Sequence, residues 1–226
     1  MALTKVIGAG VGNLDELGVG TASPSYKLHS VTTSGSDYAG FFHNSSGSGN
    51  GTALVVKGGA NNTGAGTLIV QDYSGNTDLM VDGNGHVTMP NQSAFNATND
   101  GTQSNIATGT QVTIALGTER FDQNADFASN TFTAPVTGKY QLNIFIRIDS
   151  LDSAANYYEL RILTSNSGYG IIMDPDFGQD QSYFNMAFAV LADMDASDTA
   201  TVELRQEGGT QQTDILDARF SGFLAC

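Results

Sequence analysis

The sequence predicts an all-β protein, a stalk of short β-repeats followed by a β-sandwich head. Three observations predict it. No stretch carries a long helical apolar period. The second half alternates apolar and polar residues over strand-length runs. Turn formers, led by 27 glycines, punctuate the chain at short spacing.

The character of the chain changes near Pro90 and divides the 226 residues into three parts. Residues 1–16 read as an attachment arm, 17–90 as a β-rich stalk and 91–226 as a head. The stalk consists of short apolar bursts between Gly/Asn/Ser runs such as Ser45–Thr52 and Gly58–Gly66. Leu54-x-Val56-x-Gly58, Leu68-x-Val70-x-Asp72 and Leu79-x-Val81-x-Gly83 share one pattern. Each predicts a strand of about five residues closed by a turn former. Such strands bury too little apolar surface to stand alone in water. Stacked as repeats, or intertwined with identical chains, they can form a core. The expectation is an oligomer of identical chains.

The head alternates clearly. Tyr140, Leu142, Ile144, Ile146 and Ile148 share one face of a predicted strand, with Gln141, Asn143, Phe145, Arg147 and Asp149 on the other. Tyr158, Leu160 and Ile162 oppose Tyr157, Glu159 and Arg161. Phe184, Met186, Phe188 and Val190 oppose Tyr183, Asn185, Ala187 and Ala189. Val202 and Leu204, then Phe220, Gly222 and Leu224, complete the set. Turn signals fall at Thr137-Gly138, Asp149–Ala155, Ser165–Gly170, Asp174–Gln181, Asp193–Asp198 and Glu207–Gln212. Regular short strands without long helices predict a sandwich. Phe145, Ala187, Ala189 and Leu191 also make outer faces apolar, which suits a subunit interface.

Charge is sparse and one-sided: 9 Lys+Arg against 23 Asp+Glu, a net charge of −14. An acidic field disfavours nucleic acid and anionic membranes. No apolar run approaches the ~18 residues of a membrane span. The opening Met-Ala-Leu-Thr-Lys-Val lacks the apolar region of a signal peptide, so synthesis in a cytoplasm is expected. The single cysteine, Cys226, gives no internal disulfide framework.

Two resemblances sharpen this reading. Phe132-Thr-Ala-Pro-Val-Thr-Gly-Lys-Tyr140, followed by Phe220-Ser-Gly-Phe-Leu224, resembles the globular head of complement subcomponent q, a fold shared with tumour necrosis factor. The resemblance covers about residues 92–226 and implies a ten-stranded jelly roll packed as a homotrimer. At the acidic turn before the penultimate strand, Ser197-Asp198 stands in place of that family's Gly-Asp. In the stalk, Leu17-Gly-Val-Gly-Thr-Ala-Ser-Pro-Ser-Tyr-Lys-Leu-His29 is similar to a repeat of bacteriophage tail fibres. Together they imply a virion fibre with three kinds of partner. These are its own copies, another virion protein through the arm, and a bacterial surface glycan or protein through the head.

Catalytic devices are poorly supplied. Lys5-Val-Ile-Gly8-Ala-Gly10-Val-Gly12-Asn13 lacks the third glycine and the following helix of a dinucleotide fingerprint. All three histidines, His29, His43 and His86, lie in the stalk, so the head cannot build a Ser-His-Asp or Cys-His device. No carboxylate pair stands out as a glycosidase pair. The expectation is no enzymatic activity.

The sharper motif is acidic. Asp174-Pro-Asp176-Phe-Gly-Gln-Asp180 places three carboxylates in one turn, and alternating hard oxygen ligands suit calcium. The resemblance adds that complement-like heads carry calcium-binding aspartates in this loop. Asp193, Asp195 and Asp198 form a second acidic cluster, expected at the base. The resemblance also places alternate loops at the end far from the stalk: Asp149–Asn156, Asp174–Ser182 and Glu207–Asp217. Tyr157, Phe177, Tyr183, Gln211, Gln212 and Asp214 are the receptor-binding candidates there, since aromatics beside polar groups suit stacking on sugars or protein epitopes.

Overall fold

In the computed structural model, residues 17–23, 25–33, 35–36, 38–45, 52–58 and 61–226 are described. The predicted arm, 1–16, and the Gly-rich stretch within it lie outside them. Among the described residues every regular element is a strand. The chain forms two compact units, residues 1–58 and 59–226.

In the first unit β1 (Leu17–Val19) pairs in parallel with β2 (Leu28–Ser30), in the register Leu17↔Leu28 and Val19↔Ser30. Both strands lie within the fibre-like stretch or at its edge. Gly20 follows β1 at φ +75°, where a Cβ would meet the Val31 carbonyl oxygen, so the turn demands glycine. Leu54–Gly58 was expected as the first strand of the repeat. It is exposed and pairs with no strand among the described residues. The second and third copies differ because a hairpin gives each a neighbour.

That hairpin opens the second unit. β3 (Gly66–Gln71), β4 (Thr77–Asp82) and β5 (Val87–Thr88) form an antiparallel meander. Its two turns are built alike. Asp72 accepts the N–H groups of Ser74 and Asn76 and the Asn76 amide; Asp82 accepts the N–H groups of Asn84 and His86 and contacts His86 Nδ1. These are side chain-to-backbone turns, and they explain why an aspartate closes each strand.

The head is two stacked sheets. One runs β14 (Gln181–Met194), β11 (Gly138–Leu151), β16 (Asp214–Leu224), β6 (Ala94–Thr98), β8 (Thr118–Asp122). The other runs β13 (Gly168–Met173), β12 (Ala155–Thr164), β15 (Thr199–Gly208), β10 (Thr131–Thr133), β9 (Phe127–Ala128). The short β7 (Gln111–Thr113) adds to the β10 side of β15. Consecutive long strands cross between antiparallel sheets, as a jelly roll requires. The two main paths hold the ten strands expected, and β7 is extra.

The alternation read from the sequence sets the register. Tyr140, Leu142, Ile146 and Ile148 are fully buried, and so are Tyr158, Leu160, Ile162, Val202, Leu204 and Phe220. Burying each such side chain contributes about 1.5–3 kcal/mol. Phe95 lies between Phe127 and Phe132 at ring centroids of 5.2 and 4.7 Å, with Phe220 edge-on at 5.0 Å. In the complement-like motif the Tyr140 hydroxyl donates to the Val136 carbonyl at 2.7 Å, closing the bend between β10 and β11. Gly222 of the second motif admits Phe95 and Leu142, which would stand within 2.8 Å of a Cβ there.

One expected turn is tighter than read: Ser165–Ser167 make it, and the rest is strand. Ser165–Gly170 carries two glycines, yet Gly168 and Gly170 lie in β13. A Cβ at either would press on the Arg161 side chain. These glycines mark close approach on an edge strand.

Candidate functional site

The long strands fix two ends of the head. At one end Leu224 N–H donates to the Ser93 carbonyl, and Gln123 Nε2 bridges the carbonyls of Met89, Pro90 and Gln92. The meander enters here, with Asn91 Nδ2 on Asp78 Oδ1 at 2.8 Å. The acidic turn 193–198 lies at this base, as expected. Asp193 pairs with Lys139, while Asp198 caps Asp195 N–H and accepts from Asn166.

At the opposite end three connections meet: 152–154, 174–180 and 209–213. Asp152 is their hub and is buried. Its Oδ1 accepts Ala154 N–H at 2.8 Å; its Oδ2 accepts Gln211 N–H at 2.8 Å and the backbone and hydroxyl of Thr210. Burial pushes this carboxyl up, but the donors of Gln211, Ala154 and Thr210 outweigh it and hold it below the usual carboxylate range. The Asp152 N–H donates to the Tyr158 hydroxyl at 2.9 Å, and burial pushes that phenol up to about 12. Gly209, at φ +100°, leaves the room that Asp152 Oδ2 fills. Asp180 adds the third connection: its Oδ1 accepts Ser153 N–H at 2.8 Å and Ser153 Oγ at 2.6 Å.

The candidates named from the sequence fall into three groups. Gln211 and Gln212 stand exposed on the joined loops, with Gln211 Nε2 reaching the Ser150 carbonyl at 3.3 Å. Phe177 lies on the neighbouring loop, its ring 5.6 Å from Phe184, and Tyr183 is 67% exposed at the start of β14. The other two have partners of their own. Tyr157 faces outward from β12 under the Arg205 guanidinium, 5.9 Å from its ring, and Asp214 accepts Asn105 N–H at 2.6 Å.

Asp174 and Asp176 are exposed and Asp180 is committed to Ser153. Among the described residues no group of three or more His, Cys, Asp or Glu side chains is placed to hold a metal. Asp152 and Ser153 were missed in the sequence; the Gly208-Gly209 pair, both at positive φ, was the available signal.

The outer faces of the two sheets differ. The β12–β15 face carries Arg161–Glu159 and Arg205–Glu207 pairs, with Gln111 on Glu159. The β14–β11–β16 face carries Ala187 beside Phe145, Leu191 beside Gln141, and Gln141 beside Phe223. Leu191 is 57% and Phe223 47% exposed. Toward β6 and β8 the same face opens into a cleft of about 280 Å³ lined by Asn96, Thr98, Arg120 and Arg219.

No family model matches the chain, and no curated protein matches it. Among solved structures, the globular domain of zebrafish complement 1qA protein is similar at 20% identity and TM-score 0.45, covering 60% of this chain and 98% of that one. Vertex protein P5 of PRD1 is similar at 11% identity and TM-score 0.40, covering 58% and 96%. Murine APRIL is similar at 10% identity and TM-score 0.41, covering 57% and 98%.

Proposed function

We propose that the chain is a bacteriophage fibre protein that works as a homotrimer in the virion and binds the host cell surface through its head, without catalysis. The observation that carries the proposal is the arrangement of the head's two ends. The chain enters at residues 89–94, and the loops 152–154, 174–180 and 209–213 are tied together at the far end. A binding surface held away from its attachment point is what a fibre needs. Gln211, Gln212, Phe177 and Tyr183 offer it amides and aromatic faces for a glycan or a protein epitope. The exposed Leu191 and Phe223, with Phe145 between β14 and β16, support burial against a neighbouring copy. Three heads on one stalk would convert weak single contacts into firm attachment. The arm at 1–16 would dock on another virion protein.

Fluorescently labelled protein is to be tested against a panel of bacterial cells, with Gln211→Ala/Gln212→Ala and Tyr183→Ala variants beside it. Binding that the loop variants weaken is the expected result. No binding to any host, with the protein located on the capsid shell of the parent particle, would instead make it a decorating trimer. Light scattering should give about three times the chain mass of 23.6 kDa; the single-chain mass would remove the trimer.

A further inference from the structure

We propose that the Arg120–Arg219 cleft seats a carboxylate from a neighbouring copy of this chain, which rests on the trimer reading above. The cleft lies on the same outer face as Phe145 and Phe223. Arg219, in register with Phe145, holds its guanidinium 5.7 Å from that ring and pairs with Asp217 at 2.9 Å. Beside it, β6 and β8 slip register between Asn96 and Ala97, and the slip makes Arg120 an extra residue between Glu119 and Phe121. Bulges of this kind re-aim a side chain. Here the re-aimed side chain lines the cleft.

Four groups converge there with capacity to spare. Arg120 has no ion pair or side-chain hydrogen bond among the described residues, and the side chains of Asn96 and Thr98 have none either. Arg147, one strand over, keeps its Nε buried without a hydrogen-bond partner. The head holds six cations, and four of them, Arg120, Lys139, Arg147 and Arg219, stand on this one face. Lys139 and Arg219 are matched by carboxylates, Asp193 and Asp217; Arg120 and Arg147 have none among the described residues. A guanidinium fork with a hydroxyl and an amide alongside is the donor set for a carboxylate, held by two parallel N–H bonds.

Charge selects the occupant. The head carries 17 acids against those six cations, so another copy brings carboxylates to almost any approach. The cleft is also continuous with the apolar strip through Phe145, on which a small free anion would have no use. A neighbour that covers the strip would shut water out of the cleft, where a charge pair gains strength. In a ring of three the giving and receiving surfaces differ, so each copy can do both.

The test uses the full chain. Assembly is followed by sedimentation velocity across protein concentration for wild type, Arg120→Gln, Arg120→Glu and Arg161→Gln, with circular dichroism confirming the β signature of each. Arg161 lies on the opposite sheet, paired with Glu159, and serves as the control. The expected result is that Arg120→Glu raises the concentration for half-assembly at least tenfold. Arg120→Gln raises it less, and Arg161→Gln leaves it unchanged. Raising NaCl from 0.1 to 0.5 M weakens wild type more than Arg120→Gln. A trimeric wild type whose Arg120 variants assemble at the same concentration overturns the inference and leaves the trimer standing. A monomeric wild type overturns the trimer itself. Unchanged assembly together with binding of sialic acid to wild type, lost in Arg120→Glu, reassigns the cleft to an external acid and overturns the inference too.

Discussion

The Asp152 carboxylate accepts the backbone N–H of Gln211 at 2.8 Å, joining two loops 59 residues apart in the chain. The bond gives the loop end of the head a fixed shape. Gln211 and Gln212 sit on a turn whose backbone is held from below by a buried acid, so they are presented in one arrangement. The proposed binding there would carry a smaller ordering cost than on a free loop.

Replacing Asp152 by alanine removes the buried acceptor of the Ala154, Thr210 and Gln211 N–H groups. The expected loss is about 2–4 kcal/mol of head stability, measured by urea unfolding. The acid's folded pKa is depressed, so its contribution is present above the unfolded value, about 3.9, and is lost as pH falls through the folded value. The stability difference between wild type and Asp152→Ala should therefore hold from pH 5 to 8 and narrow below about pH 4. A difference that grew in acid would contradict the assignment.

Tyr140, Ile144, Leu160 and Leu204 were legible as core because each alternates with a polar neighbour on a long paired strand, where a period of two sets the face. Phe132, Pro135 and Tyr140 were legible as parts of one motif, with its turn at Thr137-Gly138. The edge elements were not. β13 hides behind Gly168 and Gly170, whose role is to clear Arg161, and β7 has only three residues. Leu54–Gly58 has the pattern of a strand but no strand partner among the described residues. The loop site was half legible. Position named Gln211 and Gln212, but the acid that orders them is a buried aspartate, and an isolated Asp152 looks like any turn residue until Gly209 is seen beside it.

Gly222 should resist substitution. A methyl there meets Leu142 Cδ2 at 2.7 Å, Phe95 Cε1 at 2.8 Å and the Gln141 carbonyl at 2.9 Å. Backbone on one side and a stacked aromatic on the other leave no room to give. Gly222→Ala should cost about 1–3 kcal/mol by overpacking, read as a lowered melting temperature. Gly178, with open space around its Cβ position, is the matched control and should tolerate alanine.

Asp180 and calcium can be separated on one loop. The two Ser153 donors already occupy Asp180 Oδ1. Asp180→Ala should speed amide exchange at Ser153 several-fold, while EDTA leaves the wild-type melting temperature where it was. A fall in EDTA, restored by added Ca²⁺ and absent in Asp174→Asn/Asp176→Asn, would show that the loop rearranges to take an ion.

The meander offers a second acid-sensitive turn. The side-chain bond to His86 does most to hold the Asp82 carboxyl below its ordinary value, ahead of the opposing effect of burial and of the N–H groups of His86 and Asn84. With the folded pKa depressed, this support is complete above the unfolded value of about 3.9 and disappears as pH falls through the folded value. Asp82→Asn removes the charge and should make the β4–β5 turn behave at neutral pH as wild type does in acid. His86→Ala removes only the side-chain partner and should shift the transition upward in pH, toward the unfolded value, without abolishing it. Amide exchange at Asn84 and His86, followed from pH 3 to 7, reads both. Equal protection in wild type and Asp82→Asn at pH 6 would mean that the backbone holds the turn without the carboxylate.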